Sequence, residues 1–265
     1  MIRKLYKKVL NDIAWSVACE VSPQRSFQDI LRRNIDTNAA ELHALMSFRM
    51  IRHAVNQMNG KMGGHVLEMG GYSHPGLALV FLLLGVDHYY LNNITNVENR
   101  MTLAYAQNIF MLMELALLPI RKLEEVVEVI QGTHHVKIKE KHLSLLASQD
   151  ASQIHLPSDS MDGIFSMTVL EHVPSTTSIL NNCYRMLKPG GWTYHSIDLQ
   201  DHDDFNKPLA FLKYTEEEFI AKQPTHNRLR NHEHLHEFLR AGFEVLVREY
   251  LGPLPLNAQH NTDCY

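Results

Sequence analysis

Two histidines and two aspartates lie close together in one polar segment of the chain. They are His195, Asp198, Asp201 and His202, within HSIDLQDHDD at residues 195–204. A carboxylate can orient an imidazole so that the ring removes a proton from a substrate hydroxyl or amine, which is general-base catalysis. The same oxygen and nitrogen atoms could hold a divalent metal, and a solvated loop has a similar composition. We favour acid–base or substrate-binding chemistry here and assign no metal.

A second candidate group is a carboxylate at the end of a predicted strand. In GHVLEMGGYSHPGLALVFLLLG, residues 64–85, a short apolar strand ends at Glu68 and an apolar helix ends at Gly85. Between them Gly70 and Gly71 let the backbone turn sharply and approach a ligand where a Cβ would collide. A carboxylate at this place would repel a pyrophosphate, which disfavours a dinucleotide. A ligand with an amino group and no phosphate fits better.

Three segments in this order resemble the signature segments of class I S-adenosylmethionine (SAM) dependent methyltransferases. They are VLEMGG at residues 66–71, MDGIFSMTVLEHV at 161–173 and LKPGG at 187–191. The resemblance implies an α/β fold, a Rossmann-like doubly wound sheet of about seven mostly parallel strands with an antiparallel last hairpin. It also implies SAM as the cofactor and methyl transfer as the reaction. The H-x-x-D-x-x-D-H spacing together with FLKY and NRLR looks like a bacterial small-molecule subgroup.

The resemblance assigns cofactor contacts to particular residues. Glu68 would lie near the amino-acid end of SAM, with the glycine turn beneath it. Asn93, or Asn92 if the register slips, stands where family members usually carry an acidic residue for the ribose, and an amide accepts such a bond without the strengthening charge. Asp150 and Ala151 would meet the adenine amino group, although an aspartate here could also be a plain turn residue.

The same resemblance places the loop after the fourth strand beside the methyl group, since ligands sit at the carboxyl ends of parallel strands. Methyl transfer needs alignment and a proton acceptor more than covalent help. We predict His195 or His202 as that acceptor, oriented by Asp198, with His172 as second choice. The alternative for this loop is that Glu171 braces a helix while His172 packs on the edge of the cofactor.

Two arginines and one motif that resembles a zinc-binding pattern lie near the carboxyl end of the sequence. Arg228 or Arg230 could clamp a carboxylate or phosphate of the substrate, and a structural role is the other interpretation. Residues 232–236 satisfy H-E-x-x-H, the helical zinc-protease pattern. We disfavour a protease because the segment that follows, residues 241–245, is the helix-to-strand join that a methyltransferase requires.

Composition excludes several other classes of protein. Hydrophobic residues make up 45% and charged residues 20% of 265 positions, which is typical of a folded globular chain. The formal charge of −4 argues against a dedicated nucleic-acid binder. Three separated cysteines without C-x-x-C argue against a disulfide scaffold and fit the cytoplasm. No uninterrupted apolar run reaches the roughly 18 residues of a membrane span.

The predicted organisation is an N-terminal helical extension, residues 1–60, followed by a SAM-binding domain, residues 61–265. In the family such extensions often lie over the cleft, and this one could equally form a homodimer contact. The further strands are predicted at residues 86–94, 143–148, 163–168, 192–197 and 243–250, with a long helical stretch over residues 97–132 and a helix over residues 232–241.

These interpretations together predict a methyltransferase that acts on an oxygen or a nitrogen of a small natural-product or sugar-like molecule, with oxygen mildly favoured. The alternative is a catalytically silent SAM-fold protein with a binding or regulatory role. The asparagine at the ribose position encourages that alternative. A dinucleotide oxidoreductase is less favoured, because Glu68 stands where the pyrophosphate would have to approach.

Overall fold

The computed structural model of the chain describes residues 39–71, 75–115, 118–202 and 207–249. Most of the predicted N-terminal extension therefore lies outside the described residues, and so does any dimer contact that residues 1–38 would make. Its last helix, α1 (Ala39–Gln57), is described. The Phe48 ring of α1 meets Phe81 edge to face at 5.4 Å, so this helix belongs to the main core. The boundary at residue 60 stays a prediction.

Eight strands are found in the described ranges. They are β1 (His65–Met69), β2 (His88–Asn93), β3 (Met101–Thr102), β4 (Val127–Val129), β5 (His135–Ile138), β6 (Leu143–Ala147), β7 (Met161–Met167) and β8 (Leu187–Ser196). Five of them form a sheet in the order β6-β2-β1-β7-β8, and every neighbouring pair is parallel. This is the predicted α/β, Rossmann-like arrangement.

Helices cover both faces of this sheet, because the strands are apolar on both sides. Successive side chains of a strand point to opposite faces, so Val66 and Phe165 join one buried cluster while Leu67 and Ile164 join the other. The first face carries α1, α2 (Gly76–Leu83) and α3 (Leu103–Leu115). The second carries α5 (Thr177–Met186) and α7 (Asn231–Arg240). Two short helices, α4 (Leu123–Val126) and α6 (Glu216–Lys222), complete the described set.

The prediction of a long helical stretch over residues 97–132, with a break at Pro119, is wrong in part. Helices α3 and α4 lie there, but β3 and β4 pair with β5 in a small antiparallel sheet of order β3-β5-β4. In β5, Val136 and Ile138 are buried while Lys137 between them is partly exposed. This alternation of buried β-branched residues favours a strand, and pairing with β5 draws Val127 into the sheet instead of a helix.

The prediction of a strand at residues 243–250 is also wrong for its described part. Residues 243–249 have no regular secondary structure, and the described residues supply five strands of the main sheet rather than about seven. Phe243 packs on Tyr184 and Phe238, whereas Leu246 is 55% exposed. Side-chain packing at the start of the segment therefore holds it near α7 without strand pairing.

The order of the strands indicates which edge of the sheet could bind a ligand. In a parallel sheet all carboxyl ends meet at the same edge, and a crevice opens where the chain reverses its order of strands. Here that point lies between β1 and β7, since β2 and β6 are added on one side and β8 on the other. No helix in the described ranges is both long enough and apolar enough to cross a membrane.

Candidate active site

Glu68 is the penultimate residue of β1, at this edge of the sheet, and is almost completely buried. Only 3% of the residue is exposed, and its Oε2 accepts a hydrogen bond of 2.7 Å from the hydroxyl of Tyr89. Burial raises the pKa of the Glu68 carboxyl to about 7, and the bond from Tyr89 opposes this shift without cancelling it. A cation beside this group would stabilise its charged form.

The glycine turn after Glu68 packs tightly against its own surroundings. A Cβ on Gly70, whose φ is +69°, would come within 2.3 Å of a methyl carbon of Val169. A Cβ on Gly71 would lie 2.1 Å from a methyl carbon of Leu91. The glycines therefore let the turn fit between β2 and the loop that follows β7. Residues 72–74 of this loop lie outside the described ranges.

Asn93, the predicted ribose contact, is occupied by protein groups. Its Nδ2 donates to the carbonyl of Gly71, and its Oδ1 accepts from the amide (2.8 Å) and hydroxyl (2.9 Å) of Thr95. Asn92 Nδ2 in turn donates to the carbonyl of Gln149 at 2.9 Å. Both asparagines thus hold the loops at the edge of the sheet together.

Asp150, the predicted adenine contact, is exposed and has the turn role that was the other interpretation of this residue. Its Oδ1 accepts from the amide (2.7 Å) and hydroxyl (2.6 Å) of Ser152 and so caps the 3-10 turn Ala151–Gln153. Both hydrogen bonds are made by one oxygen. No described residue donates a hydrogen bond to the second oxygen.

His195 lies within β8 and apart from the other candidate residues of its segment. Its Nδ1 is 2.7 Å from the Ser166 hydroxyl, and its Nε2 is 2.7 Å from the Thr193 hydroxyl. The ring packs on Phe238 of α7 at 5.2 Å. Burial, with a smaller contribution from His234, lowers the pKa of His195 to about 3. The imidazole is therefore neutral and uses both nitrogens within the protein.

Three other histidines converge beside the ends of β7 and β8. His172 comes from the 3-10 turn Leu170–His172, His202 from the loop after β8, and His226 from the loop after α6. The ring centroids are 4.4 Å apart for His172 and His226, 4.6 Å for His172 and His202, and 5.1 Å for His202 and His226. We call these three residues the histidine cluster. His226 was not predicted as a site residue.

Two carboxyl groups flank the histidine cluster. Asp198 Oδ2 lies 3.7 Å from His202 Nε2, which brings together two of the residues predicted from the polar segment. Glu171 is 4% exposed, its carboxyl oxygens make no hydrogen bond to any described residue, and Oε1 lies 3.9 Å from His172 Nε2. Burial raises the pKa of the Glu171 carboxyl to about 7.

Asn227 explains why His226 reaches the cluster. Its Nδ2 donates to the carbonyls of Leu170 (2.6 Å) and Val173 (2.8 Å), and its amide donates to the carbonyl of Glu171 (3.0 Å). These bonds fasten the loop after α6 to the turn after β7. The contacts join positions more than fifty residues apart, so no local sequence signal could have shown them.

Asp201, the remaining acidic residue of the predicted group, has a structural position. It is 3% exposed, and its Oδ1 accepts a bond of 3.2 Å from Gln223. Its amide donates to the carbonyl of Pro208 at 2.9 Å. The polar segment is therefore divided, since Asp198 and His202 join the cluster while Asp201 ties the loop to α6.

Arg228 and Arg230 differ in their surroundings. Arg228 lines a recess of about 20 Å³ next to the cluster, and its Nη1 donates to the carbonyl of Tyr214 at 2.8 Å. Arg230 Nη1 donates to the carbonyl of Leu199 at 3.1 Å, and its guanidinium lies 5.3 Å from the ring centre of Phe211. Arg228 is thus placed near the site, and Arg230 braces the loop that leads to His202.

The H-E-x-x-H histidines are on α7. His232 and His236 are exposed, and their ring centroids are 6.4 Å apart. In the described part of the chain, no third histidine, cysteine or acidic residue joins them in a group suited to a metal. The helix therefore lacks the third ligand that a zinc-protease site uses.

Residues 122–195 match the family model described as methyltransferase domain. The matched segment makes up 74 of the 265 residues of the chain. It runs from α4 to β8 and includes the whole of β7 and the turn that carries His172. The match confirms the resemblance drawn from the sequence motifs, and SAM is the methyl donor of that family.

Part of the chain is similar in sequence to two curated proteins. Over 65 residues the chain is 34% identical to a ubiquinone biosynthesis O-methyltransferase of Paracidovorax citrulli (strain AAC00-1), which covers 24% of each protein. Over 75 residues it is 33% identical to the enzyme of that name from Hydrogenovibrio crunogenus (strain DSM 25203 / XCL-2), covering 28% of this chain and 30% of that one. The matched segments thus span between 24% and 30% of those relatives.

A solved structure with a related description is the SAM-dependent methyltransferase from Mesorhizobium loti. It is 14% identical, with a TM-score of 0.44, and the comparison covers 72% of this chain and 80% of that one.

Proposed function

We propose that this protein transfers a methyl group from SAM to an oxygen of a small organic molecule. The observation that carries the proposal is the methyltransferase-family match on the segment that supplies β7 and the turn bearing His172. The names of the two curated relatives, both O-methyltransferases, support oxygen as the acceptor atom. Nitrogen is the less favoured acceptor.

The residues at the carboxyl edge fit SAM at two of its ends. Among the described residues, the buried Glu68 carboxyl accepts one hydrogen bond, and a cationic ligand group such as the α-amino group of SAM would relieve the cost of its charge. Asp150 has an oxygen available for the adenine amino group. Asn93 Oδ1 already accepts two bonds from Thr95, so this residue could meet a ribose hydroxyl only through the second hydrogen of Nδ2.

The bound cofactor supplies an activated methyl group, and the chain must align the acceptor and take up its proton. We assign proton uptake to His202, with Asp198 near its Nε2 and His172 as the neighbouring imidazole. Both rings come from loops at the carboxyl edge, where the acceptor would approach SAM. His195 is the less suitable base, because both of its nitrogens are bonded to hydroxyl groups within the sheet. Arg228 lines the neighbouring recess and is the arginine that we assign to substrate binding.

A catalytically silent SAM-binding protein is the second candidate. It is favoured by the hydrogen bonds that Asn93 makes to Gly71 and Thr95, because its side-chain oxygen is then not available to accept a bond from the ribose. This alternative predicts that SAM binds but that no methyl transfer occurs with any acceptor.

Isothermal titration of the full chain with SAM and S-adenosylhomocysteine tests the cofactor assignment. We expect both to bind, and we expect Glu68→Ala and Asp150→Ala each to weaken binding about tenfold, the loss of one charged contact. Glu98→Ala removes an exposed carboxylate elsewhere and is the matched control. Failure of both ligands to bind the unmodified chain would overturn the proposed function, and unchanged affinity in both variants would overturn the site.

Transfer of a labelled methyl group to a panel of phenols and sugar-like alcohols tests the reaction. We expect His202→Gln to lower kcat by about 100-fold or more, the usual contribution of a general base. His155→Gln, which changes an exposed histidine after the 3-10 turn, is the control. SAM binding without turnover on any acceptor would favour the silent alternative.

Homodimer formation, the cytoplasmic location and the domain boundary at residue 60 stay predictions. Sedimentation of the full chain would measure the oligomeric state. Removal of residues 1–38 would show whether the first part of the extension is needed for association.

A further inference from the structure

We propose that His172, His202 and His226 bind one divalent transition-metal ion. One ring nitrogen from each residue can be chosen so that all three lie within 4.8 Å of one another. This site goes beyond the proposed function, because metal binding requires neither SAM nor a methyl acceptor. Proton uptake by His202 belongs to the metal-free protein, because a metal-bound imidazole whose Nε2 faces Asp198 has no nitrogen left to accept a proton.

The distances between the rings are close to those of a three-histidine site. Bonds of about 2.0–2.1 Å from a tetrahedral ion to nitrogen place two ligand nitrogens about 3.3–3.4 Å apart. His172 Nδ1 and His226 Nε2 are 2.7 Å apart, so they need to separate by about 0.6 Å. The remaining distances must shorten by up to about 1.4 Å. Rotation of rings that are carried on loops can supply such shifts without moving the sheet.

The surroundings of the cluster suit a cation. Asp198 Oδ2 lies 3.7 Å from His202 Nε2, and a carboxylate beside a ligand histidine commonly orients the ring in metal sites. The buried Glu171 carboxyl, with no hydrogen bond to a described residue, lies on the His172 side. Two carboxyl groups next to three imidazoles would offset the charge of a divalent ion.

The adjoining recess has the size of a single small ligand. Its volume is about 20 Å³, and His202, His226, Asp198 and Glu171 are among its lining residues. A cavity of roughly 10–15 Å³ or more can hold one water molecule. A three-histidine ion could therefore keep its fourth position towards this recess and bind a water or an acceptor oxygen there. The acceptor oxygen rests on the proposed function, whereas the ion itself does not.

The donor set also indicates the class of metal. Imidazole nitrogen suits zinc, cobalt, nickel, copper and iron, whereas magnesium and calcium prefer oxygen ligands. The ligands come from three separate loops, which are brought together by the Asn227 bonds to the turn after β7. A site assembled in this way is held by the fold and does not depend on one local motif.

Titration of the full chain with metal alone tests the proposal. The protein is treated with a chelator, desalted and titrated with Co²⁺ for its visible absorption bands and with Zn²⁺ in competition with a coloured chelator. We expect one equivalent to bind and each of His172→Gln, His202→Gln and His226→Gln to weaken binding about 100-fold. Asp198→Asn should weaken it about tenfold.

A matched control is available on α7. The double variant His232→Gln with His236→Gln removes the two histidines of the H-E-x-x-H motif, and it should bind metal as the unmodified chain does. Far-ultraviolet circular dichroism of each variant separates loss of the site from loss of the fold. Should His202→Gln fail to fold, the variants of the two other cluster residues decide the result.

Three results would overturn the proposal. They are no saturable binding of Co²⁺ or Zn²⁺, binding that survives the variants of the cluster, and binding that disappears in the α7 control. SAM is titrated into the same preparation separately. Metal binding without SAM binding would overturn the proposed function and leave the metal site standing, and the reverse result would do the opposite.

Discussion

Replacement of Glu68 by glutamine should change how the stability of the protein depends on pH. The pKa of Glu68 rises from 4.5 to about 7 in the folded chain because the carboxyl is buried. Each unit of such a difference corresponds to about 1.4 kcal/mol, so the whole shift amounts to about 3 kcal/mol. Between these two pKa values the folded state binds more protons than the unfolded state. Stability from this group is therefore present below pH 4.5 and is lost as pH rises to about 7.

The assay is urea unfolding of the unmodified chain and of Glu68→Gln at pH 5 and at pH 8. Glutamine stays neutral, and its carbonyl can still accept the hydrogen bond from Tyr89. The variant therefore does not lose the stability that the unmodified chain loses when the buried carboxyl ionises. Relative to the unmodified chain, the free energy of unfolding of Glu68→Gln should be about 2.5 kcal/mol higher at pH 8 than at pH 5, because part of the loss from the carboxyl has already occurred at pH 5. The histidines are the same in both proteins, so their contribution to the pH dependence cancels when the variant is compared with the unmodified chain at each pH.

Glu98→Gln is the control for this prediction, because Glu98 is an exposed carboxylate. It should give the same difference from the unmodified chain at both pH values. The reasoning is refuted if Glu68→Gln also gives equal differences at pH 5 and pH 8. It is refuted as well if the variant becomes relatively less stable at the higher pH, since the sign follows directly from the direction of the pKa shift.

Two further predictions concern the framework that holds the site. Gly163→Ala should lower the free energy of unfolding by about 1–3 kcal/mol, because its Cβ would lie 2.2 Å from the Trp192 ring; urea unfolding measures this, and an unchanged midpoint would contradict it. Thr215→Ala should cost about 0.5–2 kcal/mol, because the Thr215 hydroxyl accepts from the Glu218 amide at 3.2 Å in a capping box; Thr215→Ser should recover most of the loss, and a serine variant as weak as alanine would argue against the cap.

Local patterns in the sequence were sufficient for most of the main sheet. The predicted strands at residues 86–94, 143–148, 163–168 and 192–197 correspond to β2, β6, β7 and β8. The predicted helix at residues 232–241 corresponds to α7. These elements depend on periodicity and on turn residues, which a short window of sequence contains. The small antiparallel sheet was missed because strand pairing outweighed a helix-like apolar run.

The sequence by itself determined that Glu68 ends a buried strand before a glycine turn and that Asp198 and His202 are close to each other, since both facts follow from local order along the chain. Only the tertiary structure decided that His195 is bonded inside the sheet and that Asn93 is used to hold the glycine turn. It also decided that His226 joins His172, fifty-four positions away. The physical reason is that hydrogen bonds between distant loops depend on how the strands are ordered in the sheet, and this order is a property of the whole chain.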